Sequence, residues 1–404
     1  MDAADPQRTV EQRLARADCR AWRRPTLVVA TGKAAAGMAR ALDPQVRGFV
    51  LLPVGVDAAA LPSGLEILRG GHPVPTAQGI AASARILSAV SRLERGDRLL
   101  YLVSGGTSAL FEVPRDDVRA EDLIETYRAL LASGAPIEAV NVVRRALSRV
   151  KGGGLARAAW PAEVLALAIS DVTDDDPATI GSGPTVPRRE ASGAASDVLA
   201  RYRLRERVPA AIVAALARPQ RALPRMIATR FEIVCSNVRS RQAASRHLVE
   251  AGYRRARPTR AVLEGDVTEA ARMLCAAVDR LLRAGGRRAF VVGGETTVRL
   301  RSPVGVGGRN QHLAALVALG LAEREGFALM AGGTDGIDGG SEAAGALVDG
   351  RTAGRAAAGG ASLDEAVRNL DSGSALAGVG ASVRTGPTGT NVGDLVVVAT
   401  AASR

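Results

Sequence analysis

Short apolar runs alternate with amphipathic stretches along most of the chain. TLVVA at 26–30 reads as a buried strand, and AAAGMARAL behind it carries small apolar residues at helical spacing. GFVLLPV, LEILRG, RLLYLVS and VLALAIS repeat the strand pattern, with helical stretches between them at 78–93 and 137–150. Strand and helix in alternation predict βαβ units and a mostly parallel sheet. Continuous apolar strands fit a sheet covered on both faces. A second alternating set begins at FEIVCS (231–236) and continues through RAFVVGG, FALMAGG and DLVVVAT. The stretch 190–230 is helical, rich in arginine and broken by proline, which places a domain boundary at its end. The expectation is two α/β domains, 1–228 and 229–404, the first larger and Rossmann-like with a parallel sheet, the second smaller.

Composition refines this picture. The chain has 404 residues, 47% hydrophobic but only 3% aromatic, so the core is built from Ala, Val, Leu and Ile. The net charge is +12, with two lysines among 53 basic residues. The arginines are dispersed and stacking aromatics are few, which argues against nucleic acid as a partner. A positive field draws small anions such as phosphates and carboxylates. Cys19, Cys235 and Cys275 lie far apart without a CxxC spacing, so neither a zinc site nor a disulfide framework is indicated, as suits the cytoplasm. No signal core and no long apolar run predicts a membrane association.

Glycine-rich segments follow the strands: TGKAAAG, SGGTSAL, SDVTDDDPATIGSGP, GGETT and GGTDGIDGG. In open α/β sheets ligands bind beyond the carboxyl ends of strands, so five such loops mark a site. Lys33, after Gly32, sits where a strand turns into a helix, a place that favours an anion. Lys151, before three glycines, suits either a phosphate contact or a helix cap. The loop Ser104, Gly105, Gly106, Thr107, Ser108 offers amides and hydroxyls as an anion nest, or is simply a tight βα connection. No Walker A pattern and no helix-opening GxGxxG is present.

Asp171 and Asp335, nearest their strand ends, are candidates to hold Mg2+, which takes one or two carboxylates plus phosphates and water. Asp171 is also placed to accept a proton from an attacking hydroxyl, whereas Asp175 and Asp176 read as caps ahead of Pro177. Arg309 and Asn310 at a helix start suit bidentate anion recognition, or an N-cap beside a solvated arginine. Glu295 at a strand end, Thr334 and Asp338 in the GGTDGIDGG loop, and His72, held between glycine and proline, complete the set.

Taken together these segments resemble the glycerate 2-kinase family, which pairs a glycerate kinase N-terminal domain with a MOFRL domain. The matching stretches are TGKAAAGMA, GGHPVPT, LVSGGTSALFEVP, NVVRRALSRVKGGGLARAA, AISDVTDDDPATIGSGPTVP, VVGGETTVRL, GGRNQHLAA, MAGGTDGIDGGSEAAGALVD and TGPTGTNVGDLVVV. The resemblance implies phosphorylation of D-glycerate at its 2-hydroxyl by ATP, in a cleft between two α/β domains. It implies that Lys33 and Arg309 are active-site residues. A monomer or homodimer acting on small molecules is expected. The competing readings are a hydroxypyruvate reductase, against which the missing GxGxxG argues, and a non-catalytic binder of phosphorylated metabolites.

Overall fold

In the computed structural model each of those apolar runs is a strand. The structure describes residues 2–188, 190–191, 193–218, 229–300 and 305–401. The first sheet contains β1 (Leu27–Thr31), β2 (Gly48–Pro53), β3 (Leu65–Gly70), β4 (Arg98–Val103), β5 (Glu163–Ile169) and β6 (Thr229–Cys235), in the spatial order β3-β2-β1-β4-β5-β6. The pairings from β3 through β5 are parallel. This is the Rossmann order, with its reversal point between β1 and β4. Val28, Val29 and Ala30, and Leu99 to Val103, have no exposed surface. That explains why these strands are apolar at every position rather than at alternate ones. Each fully buried Leu or Val contributes about 1.5–3 kcal/mol of transfer free energy.

The second sheet contains β7 (Arg254–Asp266), β8 (Arg288–Thr297), β9 (Phe327–Gly333), β10 (Gly345–Val348), β11 (Ser382–Val383) and β12 (Asp394–Thr400), ordered β11-β10-β9-β12-β8-β7. It is mixed. β7 and β8 are parallel, while β12 runs antiparallel to both of its neighbours, β8 and β9. β8 and β9 therefore point the same way, and their carboxyl ends flank the start of β12. Val396 and Val398 of β12 pack in one core with Leu313 and Val317 of the helix Arg309–Gly320.

Two compact units result, Pro6–Val234 and a second one from Cys235 onward that also takes in the N-terminal residues to Asp5. The boundary expected after 228 begins in a stretch outside the described residues, and the strand expected to open the second domain is an edge strand of the first sheet. Sheet membership is decided by a partner distant in sequence, here β5, and not by the linker that precedes the strand. Among the described residues no helix is long and apolar enough to cross a membrane.

Candidate active site

In the first unit the loops after β1 and β4 flank the reversal point of the sheet. They are bonded to one another. Gly32 has φ of +115°, and a Cβ on it would lie 2.3 Å from Ser104 Oγ. Only glycine fits there. The Lys33 amide donates to Gly105 O at 2.9 Å, and the Ala34 amide to Ser104 Oγ at 3.0 Å. Thr107 Oγ1 lies 2.9 Å from Thr31 O and 2.8 Å from Ser104 O. The hydroxyls of Ser104 and Thr107 are buried and spent on holding the two loops together. Ser108 Oγ is 2.9 Å from Ser182 Oγ, which donates to Asn141 Oδ1 at 2.8 Å.

What this scaffold presents is cationic. Lys33 is exposed and makes no ion pair among the described residues. The helix behind it, Ala35–Ala39, is a single short turn, so the ammonium rather than the helix end supplies the charge. A Cβ on Gly106 would sit 3.3 Å from Lys33 Cγ and 3.1 Å from His72 Cδ2, so both side chains converge on that glycine. His72 is open on its outer side. Desolvation on its inner side lowers its pKa, and the charges of Lys33 and Arg144 lower it further. A carboxylate is close as well: a Cβ on Gly105 would lie 2.3 Å from Asp171 Oδ2.

Lys151 takes neither role foreseen for it. Its side chain is fully buried, with Nζ 2.7 Å from Glu112 Oε2 and 3.0 Å from Phe111 O. Burial lowers its pKa and Glu112 opposes that shift. Tyr127 donates its hydroxyl to the same carboxylate oxygen. The lysine is a buried strut beneath the loop and not a group open to a ligand.

In the second unit Arg309 is locked. Its Nε and Nη2 donate to Asp394 at 2.6 and 3.0 Å, and Nη1 to Glu295 Oε1 at 2.5 Å. Burial works to lower its pKa, but the two carboxylates prevail and raise it. Asp338 is an N-terminal cap supplied from another loop. Its Oδ1 accepts from the Asn310 amide at 3.0 Å and its Oδ2 from the Gln311 amide at 2.7 Å. Burial raises its pKa against those hydrogen bonds. A Cβ on Gly308 would lie 2.4 Å from Asp338 Oδ1, so this capping contact also requires glycine. Asn310 Nδ2 adds a 3.2 Å bond to the same carboxylate. Thr334 Oγ1 donates to Gly393 O at 2.7 Å and accepts from the Val392 amide at 2.9 Å, tying its loop down. Asp335 Oδ1 accepts from the Ile337 amide at 3.2 Å, and its other oxygen has no hydrogen bond among the described residues.

These groups surround a pocket of about 500 Å3 bordered by Thr296, Arg309, His312, Asp335, Ile337 and Leu370, among others. Its lining combines polar groups with apolar side chains, which suits a nucleoside or a small organic anion. Among the described residues no group of three His, Cys, Asp or Glu side chains forms a cage for a metal ion. One open carboxylate oxygen fits an ion that brings phosphates and water as its other ligands.

The structure brings Lys33, His72, Asp171 and the glycine loop together, residues that the sequence offered as candidates on separate loops. Sequence reasoning missed Arg144 and Asp394. Arg144 lay in a quoted motif, NVVRRALSRVKGGG, as one of several like arginines, and Asp394 looked like the polar start of a strand.

Comparison with known proteins bears on both units. Residues 1–217 match the family described as "Domain of unknown function (DUF4147)" and residues 288–394 match the MOFRL family. A D-glycerate 2-kinase of Thermotoga maritima is 37% identical, covering 98% of this chain and 95% of that protein. A putative hydroxypyruvate reductase of Agrobacterium vitis is 38% identical over 91% of this chain and 86% of its own length. A crystal structure of glycerate kinase from Thermotoga maritima superposes with a TM-score of 0.89 at 34% identity, covering 98% of this chain and 96% of that one.

Proposed function

The chain belongs to the glycerate 2-kinase family and is a phosphotransferase with an alcohol group as acceptor, and from that premise we propose the groups that carry the reaction. The nucleotide is ATP, the acceptor is the 2-hydroxyl of D-glycerate, and the products are 2-phosphoglycerate and ADP. The acceptor oxygen forms a bond to the γ-phosphorus as the bond from that phosphorus to the β,γ-bridging oxygen breaks. The hydroxyl proton passes to Asp171, which lies against Gly105 in the loop after β4. Phosphoryl transfer depends on positioning and charge stabilisation more than on covalent chemistry. Lys33 supplies one cation, in no ion pair among the described residues. Arg309, anchored by Asp394 and Glu295, supplies a second whose orientation is fixed in advance. Asp171 or Asp335 would hold Mg2+, which when bound neutralises nucleotide phosphate charge. We place the enzyme in the cytoplasm as a monomer or homodimer.

The observation that carries this reading is Lys33, exposed and without an ion pair among the described residues, at the reversal point of a Rossmann-ordered sheet. The name borne by the Agrobacterium relative supports a second reading, reduction of hydroxypyruvate. That reaction needs a nicotinamide site, and the first loop is TGKAAAG, without the GxGxxG turn. The two readings separate in one assay pair: ADP formation from ATP and D-glycerate, and NADH oxidation with hydroxypyruvate. Kinase activity alone is expected, and NADH oxidation without ADP formation would reverse the assignment.

A further inference from the structure

Three buried basic side chains lie on or just after one helix, Ile137–Leu147, and they differ in what they meet. Arg145 is paired with Glu190. Lys151 is paired with Glu112. Arg144, 5% exposed, makes no hydrogen bond or ion pair among the described residues, and its Nε is buried without a partner. Its guanidinium carbon stands 4.8 Å from the centroid of the Tyr127 ring, and Tyr127 is in turn bonded to Glu112. The ring face holds the cation without neutralising it. A buried charge left in this state costs stability, so its retention calls for a use.

The direction in which Arg144 is presented follows from its helix. Asn141 lies one turn earlier on the same face. Asn141 accepts from Ser182, and Ser182 meets Ser108 of the glycine loop. That face is thus bonded to the loop that also carries Gly106, on which Lys33 and His72 converge. The charge of Arg144 is felt at His72.

We propose that Arg144, held over Tyr127, is the binding residue for the carboxylate of the hydroxy-acid substrate. This assignment rests on the kinase reading above. A planar guanidinium matches two carboxylate oxygens with parallel hydrogen bonds. A single buried cation suits a monoanion, whereas the exposed Lys33 suits the more highly charged phosphates. Lys151 then acts as a positioning residue: by occupying Glu112 it leaves Arg144 unclaimed.

The test is Arg144→Met, which keeps a long stem over the Tyr127 ring and removes the charge. The expected result is an unchanged or higher Tm, a KM for D-glycerate raised about 10- to 100-fold, and an unchanged KM for ATP. Preference for D-glycerate over glycerol, which lacks the carboxylate, should fall by a similar factor. Were Arg144 instead the structural counter-charge of Glu112, whose Oε1 is also without a partner, the variant would lose stability or fail to fold, and that would overturn the assignment. A KM shift for ATP alone, or no shift, would overturn it too. Thermal stabilisation by D-glycerate separates this proposal from the kinase reading. Wild type stabilised by D-glycerate, but without turnover, sinks the kinase reading alone if Arg144→Met abolishes the stabilisation. If D-glycerate does not stabilise wild type at all, both fall.

Discussion

The glycine-rich loops of the two units look alike in sequence and differ in charge state. In the first unit the small polar side chains are consumed in joining the loops, and the cations Lys33 and Arg144 have no carboxylate partner among the described residues. In the second unit the cation is already paired. Arg309 holds two carboxylates, and the start of its helix is closed by Asp338. The first cation is free to move onto an anion, and the second is fixed in place before a ligand arrives. A glycine loop after a strand therefore specifies where a ligand goes, but the carboxylates that reach it decide what charge the ligand meets.

Four substitutions bear on this contrast, in descending order of consequence. Lys151→Met removes one member of a fully buried ion pair and leaves Glu112 uncompensated, so it should cost about 3–5 kcal/mol in urea unfolding. Equal stability of this variant and wild type would erase the distinction drawn between Lys151 and Arg144. Lys33→Ala should lower kcat/KM by about 100-fold or more, roughly 2.7 kcal/mol, while leaving the Tm unchanged, because the side chain is exposed and unpaired. Arg309→Ala should lose comparable activity and also stability, since Asp394 is left buried without its partner. If Lys33→Ala proved the destabilising one, the assignment of free and locked cations would be inverted. Asp338→Ala removes a cap and should cost about 1–2 kcal/mol; an unchanged unfolding midpoint would show that the helix start finds other partners.

The smallest effect concerns pH. Burial lowers the pKa of both His72 and His312 below the usual 6.5. Between that value and their lowered values the unfolded chain holds more protons, so their contribution to stability is lost as pH falls below 6.5. Replacing both with Gln should flatten the fall in Tm between pH 7.5 and 5.5. A fall of undiminished size would assign the acid sensitivity to other groups.

Much of this was legible in sequence. Strands covered on both faces, such as β1 and β4, announce themselves by unbroken apolar runs. The edge strand β7 did not: RRARPTRAVLEGD carries a proline and many arginines, and its pairing with β8 contains register shifts. β6 was assigned to the wrong sheet because its partner is fixed by tertiary pairing. The site residues were visible as types but not in their duties. Ser104 and Thr107 read as ligand donors and serve as loop ties. Arg144 and Arg145 are neighbours of one type, and only the fold shows that Glu190, 45 residues away, reaches the second, while among the described residues no carboxylate pairs with the first.

Incubating the wild-type enzyme with ATP, Mg2+ and D-glycerate and identifying the product by phosphorus NMR decides the kinase reading. Stoichiometric ADP and a phosphate ester on the 2-hydroxyl are expected. Phosphorylation at the 3-hydroxyl, or no ester at all, would contradict it.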